Sequence, residues 1–354
     1  MLILKRMFPV IALVVPLIIV VFVIDQFGTG NMQRVSTEAL VRLVFAVGLY
    51  MFVGNSGILS FGHMTFCAVA AYASAWQTCC SMMKPTIMSG LPAFVRDNTF
   101  PLIPSALTSV GLAGAVALVS GLVLMRLSFF SASISTLALL VIMNVVFANW
   151  TTVTMGNSTI VGLPVYVTIW GALAATVVVI VLAYLFQNSR WGLMLRATRE
   201  EEVAAQASGV SLYWSRFIAF TLSGFVAGLA GVLFAHFMGT VSLSNFFLNH
   251  TFIIVAMLVI GGMHSLAGVV VGVALISAVT EVLRQAEAGY SIGGLSFAVP
   301  PGTQELVLAV TMLLILIFRK DGIMGGKEFR WPWPARSDRL AIEERKVASV
   351  QRSS

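Results

Sequence analysis

Long apolar segments, separated by short polar ones, recur along almost the whole chain. The apolar residues are continuous within each segment and do not alternate with polar ones, which favours membrane helices over the strands of a membrane barrel. We therefore expect an all-α, polytopic helical membrane protein with about 8–10 transmembrane helices, some of them shorter than a full span. The predicted helices are 7–25, 39–54, 63–82, 102–126, 128–150, 165–187, 214–240, 249–263, 267–284 and 304–318.

Composition supports this class and suggests an orientation. Charged residues make up 10% of the chain, whereas a soluble domain has about 25%. The net charge of +7 does not indicate nucleic-acid binding, because basic residues beside membrane spans act as an orientation signal. If the N-terminus is cytoplasmic and the spans alternate, 16 of the 21 Lys and Arg residues fall inside. The prediction is N-in and C-in, with a membrane domain over 1–318 and a cytoplasmic tail over 319–354.

A charged segment at 188–216 interrupts the apolar pattern. A charge costs about 2.5–3.5 kcal/mol at the centre of a membrane helix, so this segment must lie in water. Thr198 followed by Glu201 forms a capping-box pattern, alanines follow, and Gly209 suits a helix C-terminus. Together they predict a short helix over 199–208. By composition alone, a plain solvated loop is an equally good interpretation.

Two small polar stretches, 54–63 and 261–268, interrupt apolar runs. Glycine and hydroxyl residues free backbone groups at membrane depth, which is tolerated where protein or a water-lined cavity surrounds them. A tight turn between packed helices is the alternative for each residue. The candidates for a translocation pathway are Asn55, Ser56, Ser60, His63, His264 and Ser265.

The sequence predicts neither a catalytic residue nor a metal site. Cys67, Cys79 and Cys80 have no metal-ligand or redox spacing, and no His-Glu-x-x-His motif occurs. No Gly-x4-Gly-Lys-Ser/Thr motif occurs either, so the chain does not cradle ATP in that way. We expect no cofactor in this chain, and an ATPase on another polypeptide if transport is driven by ATP.

Several segments resemble the permeases of ABC importers of the branched-chain amino acid type, the Liv family. Segment 188–216 resembles their EAA loop, because Ala204, Ala205 and Gly209 keep its spacing, although Val203 stands at the acidic position. The first break is similar to the family's Ser-x-Gly-His signature, and the second to Gly-Gly-x-Gly-Ser-x-x-Gly with His264 replacing a glycine. The resemblance covers roughly 40–320.

This resemblance implies an ABC importer permease fold and a transporter subunit that is not an enzyme. The implied partners are a second permease subunit, identical or homologous, two ATPase subunits that bind ATP, and an external solute-binding protein. The location would be a bacterial inner membrane. The implied solute is a branched-chain or other small amino acid, with urea or another amide as the alternative. The implied ATPase-coupling residues are Arg199, Glu201, Glu202, Ala204, Ala205 and Gly209.

Two other classes remain open from the sequence. An ion-coupled secondary transporter usually has acidic or His relays inside its spans, whereas Asp25, Glu281 and Glu305 lie near predicted span ends. Because most spans lack charges, we expect a weakly polar route that does not bind the solute tightly. An intramembrane serine protease is suggested only by Gly-Asn-Ser-Gly at 54–57, with Ser56 as the nucleophile.

Overall fold

The structure, a computed structural model, describes residues 2–79, 84–287, 290–292, 295–297, 302–318, 322–326 and 328. Helices form most of this part of the chain. They are α1 (Leu2–Phe27), α2 (Gly30–Ser56), α3 (His63–Thr78), α4 (Lys84–Ile87), α5 (Ala93–Arg96), α6 (Leu102–Leu124), α7 (Phe129–Asn149), α8 (Thr151–Thr154), α9 (Ile169–Gln187), α10 (Arg190–Glu200), α11 (Glu202–Ala207), α12 (Leu212–Met238), α13 (Leu248–Gly261), α14 (Leu266–Glu287) and α15 (Thr303–Phe318). A 3-10 turn at Leu243–Phe246 precedes α13.

Two short antiparallel strand pairs complete the secondary structure. Strand β1 (Ile160–Val161) pairs with β2 (Thr240–Val241), and Ile160 lies opposite Val241. Strand β3 (Tyr290–Ile292) pairs with β4 (Leu295–Phe297).

The prediction of a polytopic helical protein is confirmed, and each of the ten predicted membrane helices is present. Eight helices of the described part are long and apolar enough to cross a membrane. The other two, α3 and α15, have 16 residues each. The largest boundary error is in α2, which begins at Gly30 rather than at 39. The Thr29 hydroxyl caps this start by accepting a hydrogen bond from the Met32 N–H at 3.4 Å.

The helix ends fall into two sets, as expected for spans that alternate in direction. At one end, which we call the loop end, Arg199 of α10 reaches Gly54 at the end of α2. At the opposite end, β1 joins β2, and the Trp76 indole donates to the Val153 carbonyl at 3.0 Å. That the loop end is cytoplasmic remains a prediction, based on the charge distribution.

Helix α12 lies at the centre of the bundle, against α2, α3 and α6. Small residues bring the helices close together. A Cβ added at Gly231 would lie 2.1 Å from the Cys67 carbonyl oxygen of α3, and one added at Gly224 would lie 2.3 Å from Ala117 of α6. Between membrane helices, such close backbone approach supplies much of the packing energy.

Candidate functional site

The charged loop folds as two consecutive helices. Helix α10 begins at its N-cap Ser189, whose hydroxyl accepts a hydrogen bond from the Gly192 N–H at 3.3 Å. Leu195 is fully buried on one face, whereas Leu193 is 55% exposed on the other. The helix therefore has an inner face packed on the spans and an outer face toward solvent.

The predicted capping box is wrong. Thr198 lies inside α10, where its buried hydroxyl donates to the Leu195 carbonyl at 2.7 Å. The chain breaks at Glu201, which is extended with φ −155° and makes no side-chain cap. The predicted single helix over 199–208 is thus the last turn of α10 followed by the separate helix α11.

The predicted C-terminal end of this helix is present. Gly209 has the left-handed φ of +82°. Its N–H donates to the Gln206 carbonyl at 2.9 Å, and the Val210 N–H donates to the Ala205 carbonyl at 3.0 Å. These two bonds form a Schellman motif, which satisfies carbonyls that would otherwise be unpaired at the helix end.

Two arginines fasten the loop to the membrane helices. The Arg199 guanidinium donates to the Gly54 carbonyl at 2.8 Å, in the last turn of α2. Arg216, buried at the start of α12, forms an ion pair with Glu202 of α11. A cation at a helix C-terminus is favourable because the last carbonyls and the helix dipole are negative there. The position of α10 and α11 is therefore fixed relative to α2 and α12.

The outer surface of the loop carries exposed apolar residues. Val203 is 74% exposed, and Ala204 and Ala207 beside it are exposed as well. Ala205, by contrast, is only 5% exposed and faces the rest of the chain. The surface available to a partner is therefore the outer face of α10 together with these three residues of α11, and it excludes Ala205.

A cavity of about 590 Å³ lies behind α10 at the loop end. The chain after α15 contributes to it: the Glu328 carboxylate accepts a hydrogen bond from the Leu266 N–H at 2.6 Å and so caps α14. Burial raises the pKa of the Glu328 carboxyl, although its hydrogen bonds with the backbone of Leu266 and Ala267 oppose the rise. The cavity is lined by Tyr50, Gln187, Arg196, Arg199, His264, Gly326 and Glu328.

The first polar break is a packed turn in this structure. His63 is 1% exposed. One ring nitrogen lies 2.8 Å from the Ser60 hydroxyl and the other 2.6 Å from the Ser223 hydroxyl. Phe52 and Phe220 lie against the same ring. His63 and Ser60 are thus hydrogen-bonded core residues that line none of the cavities described here.

Asn55 and Ser56 are equally enclosed. The Asn55 amide donates to the Met51 carbonyl at 3.1 Å. The Ser56 hydroxyl accepts from the Ile58 N–H at 3.2 Å, and both side chains are at most 2% exposed. His63, the nearest histidine in sequence, has both nitrogens engaged by other serines. His63 is therefore not available as the activating base of Ser56, which argues against a protease nucleophile.

The second break places its two candidates differently. Ser265 is fully buried and caps α14, because its hydroxyl accepts from the Gly268 N–H at 3.0 Å. His264 lines the 590 Å³ cavity, opposite Arg196 and Arg199. Of the six pathway candidates, all in the described part of the chain, only His264 lines this cavity.

Sequence reasoning missed one charged pair inside a span. Glu38 and Arg42 form an ion pair four residues apart in α2, and their side chains are 24% and 17% exposed. The structure therefore places a charged pair on this helix, and the expectation of a weakly polar route stays a prediction. The available signal was their i, i+4 spacing, which is typical of an ion pair on one helix face, combined with the capping residue Thr29 upstream.

Comparison with known proteins agrees with this architecture. The family described as branched-chain amino acid transport system / permease component matches residues 31–316. The high-affinity branched-chain amino acid transport system permease protein LivM of Salmonella typhimurium is 25% identical, over 82% of this chain and 69% of the relative. LivM of Escherichia coli is 26% identical, with the same coverage of both chains. No solved structure matches.

The family match extends from the start of α2 into α15 and includes both breaks and the charged loop. It argues against the intramembrane protease, because the family consists of transport-system permeases and not of enzymes. The chain therefore belongs to the branched-chain amino acid transport system permease family.

Proposed function

We propose that this chain is a membrane subunit of an ABC importer and that loop 188–216 docks on a separate ATPase. The membrane domain comprises 1–318, the loop end faces the cytoplasm, and 319–354 forms a cytoplasmic tail. The complete transporter contains a second permease subunit, two ATPase subunits that bind the ATP, and an external solute-binding protein. It resides in a bacterial inner membrane.

The exposed apolar surface of the charged loop carries this proposal. Leu193 and Val203 are more than half exposed, on a segment too charged to enter the hydrocarbon core. Exposed apolar residues grouped in water mark a protein interaction site. Arg199 holds this surface against the end of α2, so that a movement of the ATPase is passed to a membrane helix.

The proposed solute is a branched-chain or other small amino acid. Both relatives are named for branched-chain amino acid transport, and this is the support for the choice. Urea or another small amide is the alternative solute. Uptake of labelled leucine, compared with uptake of labelled urea by the same complete transporter, separates the two.

The docking proposal is tested with Val203→Glu in the transporter expressed with its ATPase and binding protein. Val203 makes no buried contact that the change would break, since it is 74% exposed. We expect normal membrane abundance, loss of the co-purified ATPase and loss of uptake. Val161→Glu is the matched control, because Val161 is 53% exposed at the opposite end.

The expected difference lies between these two variants. Val161→Glu should retain the ATPase, because its new charge lies on the other side of the membrane. If Val203→Glu retains both the ATPase and full uptake, the loop is not the docking surface. If the unsubstituted chain binds no ATPase, the assignment to an ABC importer fails as a whole.

A further inference from the structure

Two small cavities meet at Arg42. One, of about 50 Å³, lies between α2 and α14. The other, of about 30 Å³, lies between α2, α3, α12, α13 and the segment that leads into α13. The first is lined by Val35, Glu38, Ala39, Arg42, Ser277, Thr280, Glu281 and Arg284. The second also includes Arg42, but most of its lining is apolar, with Phe45, Met64, Phe234 and Ile254 among the residues.

The position along α2 places this site within the membrane. Arg42 lies 14 residues before Ser56, the last residue of α2, which corresponds to about 21 Å at a rise of about 1.5 Å per residue. Ser56 is at the level of Arg199 and therefore near water. In a hydrocarbon core of about 30 Å, Arg42 is then inside the outer third. An ionisable side chain at such a depth indicates a functional site, because its burial in lipid is expensive.

The first cavity also contains a polar group without a partner. Ser277 is 7% exposed, and its hydroxyl has no hydrogen-bond partner in the structure. The neighbouring charges are paired: Glu38 with Arg42, and Glu281 with Arg284 at 2.7 Å. A buried hydroxyl left unsatisfied costs about 1–3 kcal/mol. A bound polar ligand in the cavity would supply the missing partner.

We propose, on the basis of the proposed function, that this cavity is a solute site for the zwitterionic end of an amino acid. The solute inserts into the Glu38–Arg42 pair, so that its carboxylate binds Arg42 and its ammonium binds Glu38. Every charge keeps an opposite partner, and no net charge is added at membrane depth. A solute with only one of the two charges leaves Glu38 or Arg42 uncompensated, which is costly there.

The adjoining apolar cavity receives the solute's side chain. It lies on the other side of Arg42 and is lined by Phe45, Met64 and Ile254, which suits a branched aliphatic group. The two cavities have room for a few water molecules at most, by the volume a water occupies. The structure is therefore the closed form of the site, and the solute enters when α2 moves away from α14.

The test uses a cysteine placed in the cavity of the complete reconstituted transporter. Ser277→Cys, in a chain whose native cysteines are replaced, is treated with a methanethiosulfonate reagent, and the modification rate is measured at increasing leucine concentration. We expect leucine to protect the thiol. Adding Arg42→Gln should raise the leucine concentration for half-protection by about tenfold or more, which corresponds to the loss of a charge-assisted hydrogen bond.

Arg96→Gln is the matched control. Arg96 also forms an ion pair, with Asp97 at 3.0 Å, at the same end of the bundle, but it lines none of the cavities described here. Its substitution should leave half-protection unchanged. Equal half-protection with Arg42→Gln and with the unsubstituted Arg42 would overturn the site.

A second arm varies the solute and does not depend on the folding of any Arg42 variant. Leucinamide lacks the carboxylate and 4-methylpentanoate lacks the ammonium, so both should protect much less than leucine. Protection by either as strong as that by leucine would overturn the zwitterion assignment. If the unsubstituted transporter imports no amino acid, the proposed function fails together with the site, whereas normal import without dependence on Arg42 overturns the site alone.

Discussion

Replacing Arg199 with Gln should separate ATP hydrolysis from solute uptake. The Arg199 guanidinium donates to the Gly54 carbonyl at 2.8 Å, and this bond joins the proposed docking helix α10 to the end of α2. Gly57, just beyond α2, has φ +76°, and a Cβ added there would lie 2.9 Å from Arg199 Cγ. The contact is therefore tight, and the shorter neutral glutamine cannot reproduce it.

The magnitude follows from the kind of bond that is lost. A hydrogen bond from a charged donor contributes about 1.5–3 kcal/mol. The Arg199 side chain is 21% exposed and also pairs with Glu200, so the lower end of that range applies. A loss of about 1.5 kcal/mol weakens the contact between α10 and α2 about tenfold. Because the docking residues on the outer surface are unchanged, ATPase binding should persist.

The assay measures ATP hydrolysed per leucine imported by the reconstituted transporter. With Arg199→Gln we expect uptake to fall several-fold while hydrolysis continues, so that the ratio rises toward tenfold. Arg126→Gln is the control at the same end of the bundle, because Arg126 lies on the connection between α6 and α7, outside α10 and α11, with its guanidinium 5.6 Å from the centroid of the Tyr213 ring. An unchanged ratio with Arg199→Gln would refute the reasoning, and so would loss of the ATPase itself.

Three further predictions concern the fold on which this mechanism depends. Gly231→Ala should lower the melting temperature of the detergent-purified protein, because the added Cβ would lie 2.1 Å from a carbonyl oxygen of α3 and overpacking costs about 1–3 kcal/mol. In the control Gly111→Ala, the added Cβ would have no atom within 4 Å, so the melting temperature should be unchanged. His63→Ala should reduce membrane abundance, because it removes the partner of the buried Ser60 hydroxyl, which costs about 1–3 kcal/mol; the Ser223 hydroxyl keeps its bond to the Phe220 carbonyl at 2.8 Å. Normal abundance with impaired uptake would instead return His63 to the pathway. A single cysteine at Ser208, which is exposed, should not react with an impermeant reagent added outside intact cells, and a reaction would reverse the predicted orientation.

The helices could be predicted from the sequence because burial in lipid imposes a long apolar run on each span. The same reasoning failed at the start of α2. Residues 30–38 include Gly30, Arg34 and Glu38, so their hydropathy resembles that of a loop. In the fold, the Thr29 cap and packing against α9 and α14 extend the helix outward. Tertiary contacts that stabilise a polar helix turn are not visible in its local composition.

The charged loop shows a similar limit. Thr198 and Glu201 have the spacing of a capping box, but Ser189 upstream is the residue that caps a helix. A capping pattern shows that a helix can begin at a residue; it does not exclude that a helix already runs through it. Gly209 could be predicted, because few residues other than glycine adopt its left-handed conformation. The burial of Ala205 could not, since two neighbouring alanines differ only in the direction that the fold gives them.

The two proposed sites are joined by the same pair of helices. Tyr50 of α2 lines the 590 Å³ cavity behind the docking loop, together with His264, which lies two residues before the start of α14. About 12 Å farther along α2, at about 1.5 Å per residue, Arg42 faces Ser277 of α14 across the small cavity. Helices α2 and α14 pack against each other, and closely packed protein interiors transmit strain. If an ATPase displaces α10, the hydrogen bond from Arg199 to Gly54 transmits the displacement to α2. The hydrogen bond between Glu328 and Leu266 meanwhile holds the start of α14 in place. Movement of α2 relative to α14 at the loop end then also moves the two helices apart at the cavity beside Arg42. A solute needs this separation in order to enter the cavity.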